Sequence, residues 1–369
     1  MKILFLVSSL GGGGAERVAT TLSNAWADRG ADVTLVTTFA GQGKPFCALH
    51  PAIRVSSLGS PLKRDAKIGE RRVVRLLRLR AIATEVRPDV VISFLTNVNL
   101  ANLVATTGMG VPRIVFERSD PAAQTLPLGT RTACRLLYRH AECVAAQTDR
   151  AADSIRRLYR VRARVAVIPN PIPPGIEAWT ATPGAAVDRK SLLYLGRLDH
   201  VKQVERAIEA FGDISIRHTD WDLQIHGDGP ERQRLTSLVA RLRLGARVFI
   251  HGATTDPWRV MAGAHAFVST SRREGFPNAM LEAMAVGLPC VVSDCPSGPR
   301  ELSRDGKDAV LVPGDDRAGL RDALSDLMGD GARRAQLGAS ARESVLSRFG
   351  LDAILRCWDD AFASLGVCA

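Results

Sequence analysis

The chain has 369 residues, of which 46% are hydrophobic and 24% are charged, and its formal net charge is +11. This length and composition are those of a soluble globular protein with two domains of ordinary size. No apolar run approaches the eighteen or so residues of a membrane span, and an aromatic content of only 5% argues against a nucleic-acid partner.

Strands and helices alternate through the first 170 residues. The opening segment, MKILFLVSSL, is too short for a signal peptide and predicts a strand that leads into Gly11 to Gly14 and then an amphipathic helix. Further strands are predicted at residues 32–37, 89–94, 113–116, 143–147 and 165–168. This order predicts a parallel sheet with helices on both faces. Ligands of such sheets collect beyond the carboxyl ends of the strands, an edge that here carries the glycine run, Leu95 to Asn97 and Glu117 to Pro121.

A basic segment, Lys63 to Arg80, contains eight Lys or Arg residues and two acids, interleaved with aliphatic residues. The spacing predicts a basic helix with an apolar stripe. Two roles stay open for it. The stripe packs on its own sheet, or the helix meets anionic lipid head groups, where each basic residue contributes about 1 kcal/mol.

After a loop rich in Pro, Ala and Gly, the alternation restarts. Strands are predicted at residues 191–195, 221–226, 248–251, 266–269 and 290–293, and helices at 201–211, 231–242, 258–263 and 279–286. The predicted organisation is therefore a first domain at 1–170, a linker at 171–188, a second domain at 189–350, and a C-terminal helix at 351–369. That helix follows the completed second sheet and could cross back to the first domain.

Two acids mark the most informative stretch of the second half. Glu274 lies in a turn that ends at Asn278, which suits a helix N-cap, and the free amides of a helix start suit a phosphate or a sugar hydroxyl. Glu282 follows in an apolar helix with no other charge. Because an unpaired buried carboxylate is costly, Glu282 needs a ligand or a hydrogen bond. The alternative is a capping acid and an exposed helix glutamate.

Four motifs, taken together, span nearly the whole chain. They are Glu274-x7-Glu282, Gly196-Arg197-Leu198-Asp199 with Lys202, Gly227-Asp228-Gly229-Pro230, and Gly13-Gly14-Ala15-Glu16. In this combination the chain resembles the retaining glycosyltransferases of the GT-B fold, specifically the fourth family of nucleotide-sugar-dependent enzymes. The resemblance implies an α/β fold of two doubly wound, Rossmann-like domains that face a cleft.

The resemblance also implies roles for these residues. The catalytic set is Arg197, Lys202 and Glu274, in which the two cations stabilise the leaving diphosphate so that neither a metal ion nor another cofactor is needed. Glu274 would contact the hydroxyls of the donor sugar and Glu282 the ribose. The donor-binding set is Gly13, Gly14, Gly196, Gly275, Phe276, Pro277, Asn278 and Glu282. For Arg197 and Lys202 the alternative is a surface salt bridge with Asp199 or Glu205.

The acceptor side is less defined. Many relatives have a His at the strand end occupied here by Glu117 to Pro121, and no His is present there. Retaining enzymes of this type are thought to pass the acceptor proton to the leaving phosphate, so no protein base is required. The candidates on this side are Glu16, Arg17, Glu117, Arg118 and Asp120. Capping by Glu16 or Arg17 and a simple turn at Asp120-Pro121 are the alternatives.

These inferences predict a cytoplasmic enzyme, peripheral at the inner face of the cell membrane. It would move a hexose or N-acetylhexosamine from a nucleoside-diphosphate sugar, with UDP favoured, to a lipid-linked or growing polysaccharide acceptor. The acceptor class rests on Lys63 to Arg80, on the Glu117 segment and on Ser297 to Arg300. Seven cysteines without a CxxC pair fit reduced thiols. The alternatives are a nucleotide-sugar epimerase or hydrolase and a non-catalytic sugar-nucleotide or membrane-binding module.

Overall fold

The computed structural model describes residues 1–11, 13–38, 45, 47–59, 68–181 and 189–367, without the side chains of 68–71. Of the predicted features, the basic residues Lys63, Arg64 and Lys67, the side chain of Arg71 and most of the predicted linker, 182–188, lie outside the described residues. The chain forms two compact units, one made of Met1–Pro171 with Asp352–Ala369 and the other of Ile172–Leu351.

The first unit is a parallel sheet flanked by helices. Its strands are β1 (Lys2–Val7), β2 (Asp32–Thr37), β3 (Arg54–Ser57), β4 (Val90–Phe94), β5 (Arg113–Glu117), β6 (Cys143–Ala146) and β7 (Arg164–Val167). Its helices are α1 (Gly14–Asp28), α2 (Ile68–Val86), α3 (Thr96–Ala105), α4 (Leu128–Leu137) and α5 (Asp149–Tyr159), with a 3-10 turn at Tyr138–His140. The strand order is β3-β2-β1-β4-β5-β6-β7. The central strands β1 and β4 are mostly apolar and are buried except at Lys2, because helices cover both faces of the sheet.

The second unit repeats this plan. Its strands are β8 (Lys190–Leu195), β9 (Trp221–His226), β10 (Val248–His251), β11 (Ala266–Ser269), β12 (Cys290–Asp294) and β13 (Val310–Pro313). Its helices are α6 (Val204–Ile214), α7 (Arg232–Arg241), α8 (Pro257–Ala262), α9 (Asn278–Ala285), α10 (Pro299–Leu302), α11 (Arg317–Gly329) and α12 (Gly331–Phe349), with a 3-10 turn at Ile176–Ala178. The strand order is β10-β9-β8-β11-β12-β13, and every pairing is parallel.

Two doubly wound, Rossmann-like sheets confirm the predicted α/β fold. In each sheet the strand order reverses beside the first strand, between β1 and β4 and between β8 and β11. Ligands of doubly wound folds bind outside the carboxyl ends of the strands at such a reversal. Each unit therefore has one edge at which a site is expected.

The C-terminal helix, α13 (Leu351–Ala363), belongs to the first unit. Its Trp358 is fully buried, and the ring lies 5.3 Å from Trp26 of α1 and 5.8 Å from Phe116 of β5, measured between centroids. Aromatic pairs of this geometry contribute about 0.5–1.5 kcal/mol each beyond the area they bury. This aromatic cluster attaches the end of the chain to the first sheet.

Candidate functional site

Two loops meet backbone to backbone at the carboxyl ends of β8 and β9. The amide of Leu198 donates to the carbonyl oxygen of Asp228 at 2.9 Å. A Cβ on Gly227 would overlap the carbonyl oxygen of Gly196, and a Cβ on Gly229 would overlap that of Leu198. The Gly-Asp-Gly motif is therefore required by close packing of the two loops, which brings both strand ends to one place.

A turn centred on Asp199 precedes α6. The Oδ1 atom of Asp199 accepts hydrogen bonds from the amides of Val201 at 3.0 Å and Lys202 at 3.2 Å. Gln203 then adopts a left-handed conformation with φ of 47°. The helix consequently begins at Val204, and the prediction that it begins at Val201 is wrong. The turn leaves Lys202 outside the helix.

Lys202 and Glu274 form an ion pair from the ends of two neighbouring strands. The Nζ atom of Lys202 lies 2.7 Å from Glu274 Oε1, and the hydroxyl of Ser271 donates to the same oxygen at 2.6 Å. The two charged side chains are 26% and 12% exposed. Thr270 fixes the arrangement by donating to the carbonyl oxygens of Lys202 at 3.1 Å and Gln203 at 2.8 Å. A carboxylate has about four acceptor sites, so Glu274 keeps capacity for a ligand.

Arg197 lies on the surface beside this pair. Its side chain is 77% exposed, and its Nη2 atom lies 3.4 Å from Asp199 Oδ2. Arg197 thus forms the salt bridge with Asp199 that was the alternative to phosphate binding, whereas Lys202 pairs with Glu274. An exposed pair contributes only about 0–1 kcal/mol. The guanidinium can therefore exchange Asp199 for an anionic ligand at little cost.

Glu282 points into the protein from the middle of α9. Its side chain is 2% exposed, and the indole N–H of Trp258 donates to its Oε2 atom at 3.2 Å. Trp258 of α8 therefore supplies the hydrogen bond that was expected for this carboxylate. The exposed-glutamate alternative does not hold for Glu282.

The start of α9 differs from the prediction. Pro277 occupies the N-cap position without a side-chain cap, and Asn278 is the first helical residue, so the predicted N-cap role of Asn278 is wrong. The physical reason is the tight turn before the helix, in which the amide of Asn278 donates to the carbonyl oxygen of Phe276 at 3.0 Å. This amide is engaged within the turn.

The segment at Ser297 supports the same turn. The hydroxyl of Ser297 donates to the carbonyl oxygen of Gly275 at 3.4 Å. Gly298 has φ of 102°, and a Cβ there would lie 2.5 Å from Pro277 Cδ. Arg300 forms an ion pair with Asp294. Ser297 and Gly298 therefore contact the turn that follows Glu274, whereas Arg300 pairs with Asp294.

Stacked histidines, which the sequence did not single out as a pair, lie at the ends of β9 and β10. His226 and His251 are register partners, and their rings are 4.4 Å apart and inclined by 19°. Burial and the neighbouring His251 lower the pKa of His226 to about 4. The two stacked rings form a flat surface next to Gly227. The sequence could have predicted this pair, because both histidines are the last residues of strands that lie side by side in the sheet.

In the first unit, Glu16 folds back onto the loop after β1. The hydroxyls of Ser8 and Ser9 donate to its Oε1 atom at 3.3 and 3.0 Å. A Cβ on Gly13, the N-cap of α1, would overlap the Glu16 carboxylate. A glycine at this position therefore leaves room for the acid. Arg17 and Gly14 lie in the first turn of the same helix.

Glu117 ends β5 in a buried hydrogen-bond network. Thr96 donates to its Oε2 atom at 2.8 Å and the hydroxyl of Tyr138 donates to its Oε1 atom, while Asn99 donates to that hydroxyl at 3.2 Å. Burial raises the pKa of Glu117, and these hydrogen bonds only partly offset the effect. Glu117 therefore connects β5 to α3 and to the turn after α4.

Arg118 is a buried cation. The residue is 8% exposed, and its guanidinium carbon lies 4.6 Å from the ring centroid of Phe94 and 5.1 Å from that of Phe116. Its Nε and Nη1 atoms are buried without a hydrogen-bond partner. Burial lowers the pKa of Arg118 to about 9, although the charge of Glu16 acts in the opposite direction. Unpaired donors on a buried cation suit an anionic ligand.

Asp120 makes a turn of the kind expected from Asp-Pro. Its Oδ1 atom accepts from the amide of Ala122 at 2.8 Å, and its Oδ2 atom lies 3.6 Å from Arg150 Nε. Within the described ranges, no group of three or more His, Cys, Asp or Glu side chains is placed to hold a metal ion. None of the described helices combines the length and apolar character that a membrane crossing requires.

Comparison with known proteins gives two consecutive family matches. The model "Glycosyl transferase 4-like domain" matches residues 13–171, and the model "Glycosyl transferases group 1" matches residues 176–344. Together the two matches cover both structural units.

Three individual proteins illustrate the likeness. The chain is 30% identical, over 93% of both lengths, to a Campylobacter jejuni N-acetyl-D-galactosaminyltransferase whose name specifies an undecaprenol-diphosphate-linked glycan. It is 32% identical over 289 residues to an exopolysaccharide phosphotransferase of Streptomyces coelicolor, in a match that covers 78% of this chain and 29% of that longer protein. The structure of HepE from Anabaena in complex with UDP superimposes with a TM-score of 0.81 at 19% identity, covering 99% of this chain and 100% of HepE.

Proposed function

Since the chain belongs to the glycosyl transferases group 1 family, we propose that it is a retaining enzyme that moves a hexose or N-acetylhexosamine. The donor is a nucleoside-diphosphate sugar, with UDP as the favoured nucleotide, and the acceptor is a lipid-linked or growing polysaccharide. The Campylobacter relative, named for a lipid-linked glycan, supports the acceptor class. The HepE complex supports the choice of UDP.

The observation that carries this proposal is the ion pair between Lys202 and Glu274, with Glu282 buried in the helix that follows. We assign Glu274 to the donor sugar hydroxyls, assisted by the turn from Gly275 to Asn278. Glu282, oriented by Trp258, binds the ribose. We place the nucleotide base at the ends of β9 and β10, beside the stacked histidines.

Breaking the bond between sugar and diphosphate places negative charge on the leaving phosphate. Lys202 is already fixed beside the sugar-binding acid, and Arg197 can leave Asp199 to bind two phosphate oxygens. Preorganised cations of this kind stabilise the transition state more than the ground state. The two cations thus replace a metal ion in the proposed mechanism, which is metal-independent.

In the first unit we assign the acceptor side to Glu16, Arg17, Glu117, Arg118 and Asp120. Arg118 supplies unpaired donors for an anionic group of the acceptor. Glu117 is held by Thr96 and Tyr138, so it positions this edge and does not act as a base. The acceptor proton then passes to the leaving phosphate on the same face of the sugar, which retains the configuration of the anomeric carbon.

The basic helix α2 supports a peripheral position at the cytoplasmic face of the membrane. Arg72, Arg78 and Arg80 of this helix are exposed, and so are Val73 and Leu77. Exposed arginines beside exposed aliphatic residues suit a surface of anionic lipids. Binding to vesicles with and without an anionic lipid, at two salt concentrations, measures this part of the proposal.

A panel of nucleotide sugars with thermal-shift detection tests the donor site. At a ligand concentration about 100 times Kd, binding stabilises a protein by about 2.7 kcal/mol, which corresponds to several degrees in Tm. We expect one UDP-sugar to stabilise the wild type and Glu282→Ala to lose that shift. Glu209→Ala, at a partly exposed acid of α6 that pairs with Arg317, is the matched control and keeps it.

Two results would contradict the proposal. One is a panel in which no nucleotide sugar stabilises the wild type, or in which Glu282→Ala is stabilised equally. The other is full-rate turnover of the donor without any acceptor, which would favour an epimerase or hydrolase.

A further inference from the structure

A cavity of about 700 Å³ lies between α2, α3 and α4 of the first unit. Helix α2 packs on α3 and α3 packs on α4, so the cavity is a furrow along one face of the sheet. Its volume lies within the roughly 300–1,000 Å³ of small-molecule sites. None of the residues assigned to the donor lines it.

The lining of the furrow changes along its length. In a parallel α/β unit, each helix begins at the carboxyl edge of the sheet and ends at the opposite edge. Polar lining residues occur on the early turns of their helices: Arg72, Arg75, Asn97 and Thr130. Aliphatic ones occur further along α2 and α3: Leu76, Leu79, Leu100 and Val104. The arginines therefore lie toward the carboxyl edge of the sheet, where Leu58 and Val98 also line the furrow, and the lining further along α2 and α3 is aliphatic.

The helices that form the furrow also expose large aliphatic side chains. Val73 and Leu77 of α2, Val104 of α3 and Leu128 of α4 are all exposed. Exposed aliphatic side chains on all three helices around a concave site suit an apolar ligand. The floor beneath it is core, because Leu79 and Val98 pack in the buried cluster under the sheet face.

We propose that this furrow binds the hydrocarbon chain of a phosphorylated lipid acceptor. Arg72 and Arg75 bind the phosphate, and the chain lies along the aliphatic residues of α2 and α3. The inference rests on the proposed transfer to a lipid-linked acceptor and adds the site for its lipid. The guanidinium fork suits phosphate oxygens, while an aliphatic chain matches the remaining surface.

The position of the cationic end agrees with this assignment. Asn97 lines the furrow, and the preceding residue, Thr96, donates to Glu117 on the acceptor side. A phosphate held at Arg72 therefore lies at the edge of the sheet that carries the acceptor residues, and the chain runs away from that edge. The glycan attached to the phosphate is thus directed to the reaction edge.

Isothermal titration calorimetry with the full chain tests the furrow. Farnesyl phosphate is the probe, and dimethylallyl phosphate, with the same head group on one isoprene unit, measures the head group alone. We expect farnesyl phosphate to bind at least about tenfold more tightly, because only the longer chain can cover the aliphatic lining. Ala101→Trp, which fills the furrow, should remove this difference, and Leu136→Trp, on an exposed position of α4 outside the furrow, should preserve it.

If Ala101→Trp does not fold, reversing the charge of Arg72 provides an independent test of the furrow. Arg72→Glu should weaken farnesyl phosphate binding by about tenfold or more, whereas Arg135→Glu, at an exposed position of α4 outside the furrow, should change it little. Equal binding of the two probes, unchanged binding in folded Ala101→Trp, or equal losses in both arginine variants would each overturn the inference.

Stabilisation by UDP-sugars is measured in the same samples. If it persists without farnesyl phosphate binding, the furrow assignment fails alone, and if it is absent while farnesyl phosphate binds, only the donor proposal fails.

Discussion

Lys202 and Glu274 are 72 residues apart in the sequence, yet the ammonium of one lies 2.7 Å from the carboxylate of the other. The pair joins a turn after β8 to a turn after β11, which are adjacent strands of the second sheet. Ser271 and Thr270 fix the two ends by separate hydrogen bonds. The cation assigned to the phosphate and the acid assigned to the sugar are therefore in place before a donor binds.

Replacing Lys202 by methionine should lower kcat by about 10²–10³-fold, the usual loss for one preorganised donor at a developing charge. The side-chain volume is kept, and Ser271 still donates to Glu274. Lys190→Met is the matched control, because Lys190 pairs with Asp220 at 2.8 Å at the opposite end of β8. Initial rates of sugar transfer measure the effect. Equal activity of both variants would contradict the role of Lys202.

Gly227→Ala should destabilise the second unit by about 1–3 kcal/mol, the range for overpacking. The added methyl would meet the backbone of Gly196, which cannot rotate away as a side chain can. Gly245→Ala is the control, since a Cβ at that position meets nothing within 4 Å, and its effect should stay within about 0.5 kcal/mol. Urea unfolding measures both. Similar midpoints for the two variants would refute the packing argument.

The sequence predicted the alternation and both sheets, because apolar strands separated by amphipathic helices give a strong pattern. Two edge strands were missed. Arg54–Ser57 is short and largely exposed, so it has no buried-strand pattern, and Val310–Pro313 is equally short and ends in proline. At the edge of a sheet, neighbouring strands decide the pairing, and local residues alone do not show it.

At the candidate site, the sequence predicted which residues bind the donor but not how those residues pair with one another. It predicted that Glu282 needs a partner, yet Trp258 is 24 positions earlier on another helix. It assigned Lys202 to a phosphate without its bond to Glu274. The prediction that Asn278 is the N-cap was wrong because a tight turn precedes the helix. In that turn the amide of Asn278 donates to the carbonyl oxygen of Phe276 and is not exposed as it would be at a free helix start. Pairings between elements depend on tertiary packing, which one sequence does not reveal.

Trp258→Phe should raise the donor KM about fivefold with little change in kcat, because Glu282 loses one hydrogen-bond donor while the helix packing is retained. A purely structural role would lower Tm and leave KM unchanged. Trp221→Phe, at a buried tryptophan that begins β9, shows the effect of a purely structural substitution on Tm and on the donor KM. An unaltered KM in Trp258→Phe would remove Trp258 from the ribose site.

The pH dependence of stability should change in Glu117→Gln. Burial raises the pKa of Glu117 above its ordinary 4.5, so the folded protein holds this proton more tightly than the unfolded chain. The contribution of Glu117 to stability is therefore complete below pH 4.5 and decreases as pH rises through the raised value. The variant lacks this pH-dependent loss of stability, so its Tm relative to wild type should rise as the pH increases above 4.5.

Glu142→Gln is the control for this titration. Burial opposes ionisation of Glu142, but hydrogen bonds from Arg113 hold its pKa below 4.5. Its contribution is therefore complete above pH 4.5 and is lost in acid, so the Tm difference between Glu142→Gln and wild type should stay nearly constant over the same range. Differential scanning calorimetry at several pH values measures both. A flat difference for Glu117→Gln would contradict the raised pKa.

Arg118→Met separates stability from function at the acceptor side. Removing a buried cation with two unpaired donors relieves a desolvation cost, which offsets the loss of about 0.5–2 kcal/mol from its contacts with Phe94 and Phe116. The free energy of unfolding should therefore stay within about 1 kcal/mol of wild type, or rise. The acceptor KM should rise by about tenfold or more while the donor KM is unchanged, because a charged hydrogen bond to the acceptor is lost. Arg157→Met, which removes an exposed arginine of α5 with no assigned role at the site, should alter neither KM. A marked loss of stability in Arg118→Met with normal acceptor kinetics would show that Arg118 serves the fold and not the acceptor.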